Sequence, residues 1–302
     1  MGERHEHDLG LAHDLRTMTR RRALFFFGAG VAGLAAAGCA SGSDTSTTST
    51  TTASTSVAAA PQETAGPYPG DGSNGPNVLV QSGVVRSDIT TSFGGFTGTA
   101  EGVPMTLRIT LKDLANSGAA GAGTAVYVWH CDRDGEYSLY GKNITEQNYL
   151  RGVQVADADG TVTFTSIFPA CYSGRWPHIH FEVYDSLDVA VAGENARLTS
   201  QIALPQDASE QVFAADSGYA QSVSNLSRVS LDSDNVFGDG WDAELATVTG
   251  SPSDRMQVAI TIGVAEKSQN MQSQQAPPVG GGGPGAQGGP GAMPPGGPPP
   301  GR

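Results

Sequence analysis

The stretch PACYSGRWPHIHF, residues 169–181, decides how this chain is interpreted, because it closes on a His-x-His pair, His178 and His180. Alternate residues of a β-strand point to the same face. A strand over residues 178–184 therefore places both imidazoles on one side and the apolar residues between them in a core. Both imidazoles can then reach one metal ion. Since such a pair also occurs as a purely structural feature, the flanking residues carry much of the interpretation.

A second segment, WHCDRDGEYS at residues 129–138, supplies another tyrosine, Tyr137, to add to Tyr172 of the first stretch. Of the six histidines, three lie near the amino terminus, and His130 follows a tryptophan at a strand end, where we interpret it as structural. Two phenolates and two imidazoles remain. Oxygen and nitrogen donors of this kind suit a hard, oxidised metal ion.

The body of the chain alternates apolar and polar residues in several short segments: 105–111, 125–130, 160–167 and 256–264. Clusters of Gly, Asp and Asn separate them at short intervals, which is typical of antiparallel sheets packed as a sandwich. Only residues 209–216 have a helical pattern, with Asp207 or Ser209 as the N-cap. We therefore predict an all-β fold, an antiparallel β-sandwich with one short helix, flanked by disordered termini.

Residues 1–39 have the features of a targeting leader. Arginines at positions 20–22 resemble a twin-arginine export signal, and a short apolar run with a cationic flank follows them. The run ends in Gly38-Cys39, similar to a lipoprotein processing site, so we expect export and a lipid anchor on Cys39. Simple cleavage near Ala37 is the alternative.

The rest of the chain divides by composition. Residues 40–60 are mostly Ser, Thr and Ala and predict a flexible linker, residues 61–267 form one domain, and residues 268–302 are a Gly/Pro-rich tail that we expect to be disordered. The formal net charge is −13. Without a basic patch, such acidity argues against nucleic acid and anionic membrane surfaces as partners.

Cys131 and Cys171 are the two cysteines of the predicted domain. In an oxidising compartment the simplest expectation is a Cys131–Cys171 disulfide, which would clamp the two tyrosine segments together. A pair of buried thiols is the alternative. Thiolate ligation of the metal is disfavoured because the oxygen and nitrogen donors suit a harder ion.

These motifs together resemble the intradiol ring-cleavage dioxygenases, the family of catechol and protocatechuate dioxygenases. The matching elements follow the family order: Tyr137, then Leu150-Arg151-Gly152, a turn at residues 157–160, a Pro-x-x-Tyr at residues 169–172, and Arg175-Trp176-Pro177-His178-Ile179-His180-Phe181. The resemblance is strongest over residues 126–184 and extends weakly from about residue 64 to residue 262. The variant with Cys-Tyr-Ser-Gly-Arg-Trp-Pro is similar to the exported branch of the family.

The resemblance implies a non-haem Fe(III) held by four side chains: Tyr137, Tyr172, His178 and His180. It also implies that a catechol displaces the axial Tyr172 and is cleaved by O2 between its two oxygen-bearing carbons. Arg175 would stabilise negative charge that develops during the reaction, and Gln201 would position that arginine. Tyr68 matches a segment that approaches the pocket in some members.

Two departures bear on the substrate and on assembly. The loop between Tyr172 and His178 is much shorter than in the catechol and protocatechuate enzymes, and the helical dimerisation segment of the cytoplasmic catechol enzymes is absent. The preferred catechol and the oligomeric state therefore stay open. Two other functions also stay open: a non-catalytic β-sandwich that binds aromatics or glycans, and an enzyme of another class with Zn or Cu at the same site. Zinc prefers nitrogen, sulfur or carboxylate donors.

Overall fold

Nine β-strands in two sheets form the framework of residues 57–193 and 195–267, the part of the chain that this computed structural model describes. The strands are Pro104–Asp113 (β1), Ala119–Ala120 (β2), Ala125–Trp129 (β3), Arg151–Val155 (β4), Thr161–Ile167 (β5), His178–Tyr184 (β6), Leu198–Ala203 (β7), Thr247–Gly250 (β8) and Met256–Val264 (β9). The predicted leader with Cys39, most of the linker and the Gly/Pro-rich tail lie outside the described residues.

The first sheet has the order β2-β1-β9-β8, with β5 also paired to β1, and the second has the order β4-β3-β6-β7. The all-β prediction with two sheets is confirmed. The prediction of wholly antiparallel sheets is wrong, because β1 pairs parallel with β9, Met105 opposite Met256. A parallel partner needs a crossover connection. Here the whole second sheet is inserted between β1 and β9 in the sequence, so the last strand returns beside the first.

Alternation along the strands builds a shared core. In β1 the side chains of Met105, Leu107 and Ile109 are fully buried, and they belong to the same hydrophobic cluster as Ile179 and Phe181 of β6. Burial of each side chain of this size contributes about 1.5–3 kcal/mol. The core thus fixes the face of β6 on which the two histidines lie.

Three short α-helices occur in the described part of the chain: Leu187–Ala192 (α1), Gln206–Ala215 (α2) and Ala220–Leu226 (α3). The prediction of one helix is therefore wrong. Helix α2 lies where the pattern placed it, but it begins after Pro205 without a side-chain cap, so neither proposed N-cap is used. In residues 57–193 and 195–267 we find no helix of the length and apolar character that a membrane span requires.

Helix α3 was missed because it is short and largely polar, yet it helps to position the site. The Ser222 hydroxyl of α3 accepts a hydrogen bond from the Cys171 amide at 3.0 Å, and the Asn225 side chain donates to the Cys171 carbonyl at 2.8 Å. Both polar groups of the Cys171 backbone are thereby held, one residue before Tyr172.

Candidate metal centre

Four donor atoms from three parts of the chain converge beside strand β6. The Nε2 atoms of His178 and His180 lie 3.2 Å apart. The Tyr137 hydroxyl lies 3.4 Å from His178 Nε2 and 3.2 Å from His180 Nε2, and the Tyr172 hydroxyl lies 3.2 Å from His178 Nε2. The structure therefore brings together all four side chains that the sequence proposed as metal ligands.

A tight turn after β3 presents Tyr137. The Asp132 carboxylate accepts hydrogen bonds from the amides of Asp134 and Glu136, each at 3.0 Å, which fixes the turn. Gly135 has a φ of +86°, and a Cβ added there would lie 3.1 Å from the Tyr172 Cβ. A glycine at this position allows the two tyrosine segments to approach each other.

The protonation states of the histidines favour metal binding. The pKa values of His178 and His180 lie well below the usual value, mainly because both rings are buried. Neighbouring positive charge, chiefly that of Arg175 for His178, lowers these pKa values further. Both imidazoles are therefore neutral at physiological pH. The His178 Nδ1–H donates to the Trp176 carbonyl at 2.5 Å, which leaves the lone pair on Nε2, the atom that faces the other donors.

The two phenols hold their protons tightly unless a cation is present. Burial raises the pKa of Tyr172 to about 12, and it also raises the pKa of Tyr137 well above its usual value. A bound multivalent cation inverts this preference, because it stabilises the phenolate directly. The four side chains are thus neutral without an ion, and the two phenols can lose their protons when a cation binds.

The spacing of the four donors fits a single metal ion. Donor atoms held at about 2.1 Å from one ion, with angles of about 90–109° between them, lie about 3.0–3.4 Å apart. The observed separations of 3.2–3.4 Å fall in that range. Two phenol oxygens make the set harder and more electron-rich than typical zinc sites, and they favour an oxidised ion such as Fe(III).

A buried cation, Arg175, adjoins the donors. Its Nε donates to Asp234 Oδ2 at 3.0 Å, and its Nη2 donates to Gln201 Oε1 at 2.7 Å. Burial alone would lower the pKa of Arg175, but Tyr172 and Asp234 outweigh it and raise the pKa, so the guanidinium stays charged. The structure brings Gln201 to Arg175, as the resemblance implied.

Residues 64–70 cross over the donors, and we call them the cover segment. The Gln201 side chain donates to the Thr64 carbonyl at 2.9 Å. A Cβ added to Gly66 would lie 3.2 Å from the His180 ring, so the backbone passes directly over this imidazole. The Tyr68 ring packs on the Tyr137 ring with centroids 5.3 Å apart. Tyr68, proposed from sequence as a substrate contact, thus lies beside a candidate ligand.

The expected disulfide is absent: Cys131 and Cys171 are both buried free thiols. The Cys131 thiol is directed at the Ala170 carbonyl at 3.7 Å, and the Cys171 thiol at the Arg175 carbonyl at 3.4 Å. The disulfide prediction is wrong, since each thiol is directed at a different backbone carbonyl and not at the other sulfur. Burial raises the pKa of Cys171 to about 12, so this thiol stays protonated.

The third histidine of the domain, His130, lies outside the donor set. Its ring nitrogens contact the Cys131 carbonyl at 2.8 Å and the Ser166 hydroxyl at 2.7 Å, and burial lowers its pKa to about 4.

Asp234, in contrast, is a site residue that the sequence did not reveal. It lies 59 residues after Arg175, in an Asp- and Ser-rich loop whose composition resembles that of any exposed turn.

Comparisons with known proteins agree with this geometry. A family model described as Dioxygenase matches residues 74–223, which include the four donors, Arg175 and Gln201. A 66-residue segment is 36% identical to chlorocatechol 1,2-dioxygenase from Rhodococcus opacus, and this match spans 22% of this chain and 26% of that relative.

The fold has solved counterparts. The structure of an intradiol ring-cleavage dioxygenase from Tetranychus urticae superposes with a TM-score of 0.54 at 24% identity, over 69% of this chain and 95% of that one. The family match covers the segment in which the tyrosines and histidines converge. Residues 74–223 of this chain, which hold the candidate metal centre, belong to the intradiol ring-cleavage dioxygenase family.

Proposed function

We propose that this chain is an exported non-haem Fe(III) dioxygenase that opens a catechol-type ring with O2 and releases a cis,cis-muconate-type diacid. The convergence of two tyrosine oxygens and two histidine nitrogens, 3.2–3.4 Å apart, carries this proposal. Membership of the family supports the reaction class. Both oxygen atoms of O2 enter the product, so the reaction needs no external reductant.

Tyr137, Tyr172, His178 and His180 would hold the iron. Bound there, Fe(III) would draw electron density from a chelated catechol and make its ring reactive towards O2. Of the four donors, Tyr172 is only half-buried, whereas the other three are at most 4% exposed. Tyr172 is therefore the ligand best placed to give way to substrate, and its phenolate oxygen would then take a catechol proton.

The second catechol oxygen and the ring need partners as well. Arg175 is a charged, buried group that interacts electrostatically with both candidate ligand tyrosines, so its cation would stabilise negative charge that develops on the substrate. Gln201 restrains the guanidinium at Nη2, and Asp234 restrains it at Nε. The Tyr68 ring, packed on Tyr137, would form an aromatic wall against the substrate ring.

Product analysis tests this function. Iron-loaded protein supplied with catechol and isotopically heavy O2 should give a muconate that carries both labelled atoms. His178→Ala should abolish the reaction with loss of iron, whereas His130→Gln, a change to the histidine outside the donor set, should retain both. A yellow semialdehyde, cleaved beside the diol, would rule out intradiol chemistry. A coloured iron protein inert to a broad panel of catechols would point instead to a binding module.

Export and anchoring form a separate part of the proposal, supported by the arginine-rich leader and the Gly38-Cys39 site. A tagged full-length chain should partition with membranes, and Cys39→Ser should release it. Soluble export of the unmodified chain would contradict the lipid anchor and leave cleavage near Ala37 as the explanation.

A further inference from the structure

Arg151 is a second buried arginine near the donors, and its role differs from that of Arg175. Its side chain is 0% exposed. A guanidinium has five N–H donors, and here all five are used. Nε donates to Ser138 Oγ at 3.0 Å, Nη1 to the Pro69 carbonyl at 2.9 Å and the Tyr127 hydroxyl at 3.2 Å, and Nη2 to the carbonyls of Tyr68 and Ser138 at 2.9 Å each.

These five bonds join two segments that matter for the site. The Tyr68 and Pro69 carbonyls belong to the cover segment, and Ser138 directly follows Tyr137. Nη2 alone bridges the two segments, through the carbonyls of Tyr68 and Ser138. Tyr68 carries one of these two carbonyls, and Tyr137 directly precedes Ser138, which carries the other. The rings of Tyr68 and Tyr137 pack on each other.

The backbone around Arg151 has unusual conformations that leave room for its side chain. Gly70 has a φ of +69°, and a Cβ added there would lie 2.9 Å from Arg151 Nη1. Leu139 and Leu150, the neighbours of Ser138 and Arg151, have φ values of +73° and +57°, a left-handed conformation that is unfavourable for leucine. Strain of this kind persists only where the surrounding contacts fix the backbone, and it concentrates at functional sites.

We propose that Arg151 is a positioning residue: it locks the cover segment onto Tyr137 and so sets the aromatic wall that the substrate ring meets. This inference rests on the proposed function. Lysine cannot replace it, because an ammonium group has three donors that radiate from one atom and cannot span five acceptors. Release of the clamp would free the cover segment while leaving the four metal donors in place.

A mild variant tests the clamp without removing a buried charge. Tyr127→Phe deletes one hydroxyl, which accepts from Arg151 and donates to the Pro69 carbonyl at 2.7 Å. Tyr219→Phe is the matched control. Its hydroxyl is also buried and also joins two segments, through the Val103 amide and the Phe168 carbonyl, but it does not contact the cover segment.

We expect Tyr127→Phe in the iron-loaded protein to speed amide hydrogen exchange of residues 62–72 and to raise the KM for catechol about fivefold, with little change in kcat. Tyr219→Phe should leave both unchanged. Arg151→Lys, where it folds, should give a larger effect of the same kind. Equal exchange of residues 62–72 in the two tyrosine variants, or faster exchange with an unchanged KM, would overturn the proposal.

Amide hydrogen exchange can be measured without turnover, so the clamp proposal and the proposed function can fail separately. If unmodified protein acts on no member of a broad panel of catechols, the proposed function fails, and exchange still decides whether Arg151 holds the cover segment.

Discussion

Replacement of Asp234 by asparagine should be among the most damaging single changes that preserve side-chain size. The Asp234 carboxylate is 2% exposed. Its Oδ2 accepts from Arg175 Nε at 3.0 Å and from the Trp176 amide at 2.7 Å, and its Oδ1 accepts from the amides of Val236 at 2.8 Å and Phe237 at 3.2 Å. One carboxylate therefore serves four donors and neutralises a buried guanidinium.

Asparagine keeps only one acceptor oxygen, so one pair of donors loses its partner whichever way the amide turns. It also leaves the Arg175 cation buried without its counter-charge. Removal of one partner from a buried ion pair typically costs about 3–5 kcal/mol. We expect Asp234→Asn to lower the free energy of unfolding by that amount, a large part of the usual total of about 5–15 kcal/mol.

Urea unfolding of the metal-free protein, followed by tryptophan fluorescence, measures this loss without a contribution from metal binding. Glu101→Gln is the control. It breaks an ion pair with Arg133 in which the glutamate is 72% exposed, so it should cost less than about 1 kcal/mol. Combined with Arg175→Met, Asp234→Asn should show a coupling of about 3 kcal/mol. Additive losses, or a loss from Asp234→Asn as small as the control, would refute the assignment of Asp234 as the anchor of Arg175.

Three further predictions follow from the site and its surroundings. His180→Ala should lose iron, measured by metal analysis, because it removes one of only two imidazole donors; retained iron would contradict its role. Tyr172→Phe should keep iron on the other three donors but shift the absorption band and slow turnover; an unchanged spectrum would exclude Tyr172 as a ligand. Burial raises the pKa of Glu244 from its usual 4.5 to about 8, so the folded chain holds this proton where the unfolded chain releases it. Stability should therefore fall as the pH rises through that window, by up to about 1.4 kcal/mol per pH unit, and Glu244→Gln should remove this fall. Parallel pH profiles for the two proteins would contradict the last prediction.

The donor set could be predicted from sequence because strand alternation alone places His178 and His180 on one face of β6. The two tyrosines followed from the motif that the chain shares with its family. The strands with clear alternation, β1 and β9 above all, were also found at their expected positions. Patterns of this kind involve residues that are close together in the sequence, so they can be recognised from the sequence alone.

Contacts between distant segments were not predictable in this way. Nothing in the sequence around Asp234 indicates that it meets Arg175, and the parallel pairing of β1 with β9 depends on the return of the chain after the second sheet. The disulfide prediction used the compartment and the number of cysteines. The orientation of the two thiols depends on the turn at Tyr172 and on helix α3, neither of which leaves a pattern in the sequence.

The central claim is that Tyr137, Tyr172, His178 and His180 together bind Fe(III), and a metal titration tests it most directly. Metal-free protein titrated with Fe(III) should develop a red-brown tyrosinate-to-iron charge-transfer band that saturates at one iron per chain. The band should shift in Tyr137→Phe and fail to form in His178→Ala. A colourless protein, as expected for a zinc site, or a colour that is the same in all three proteins, would contradict the account.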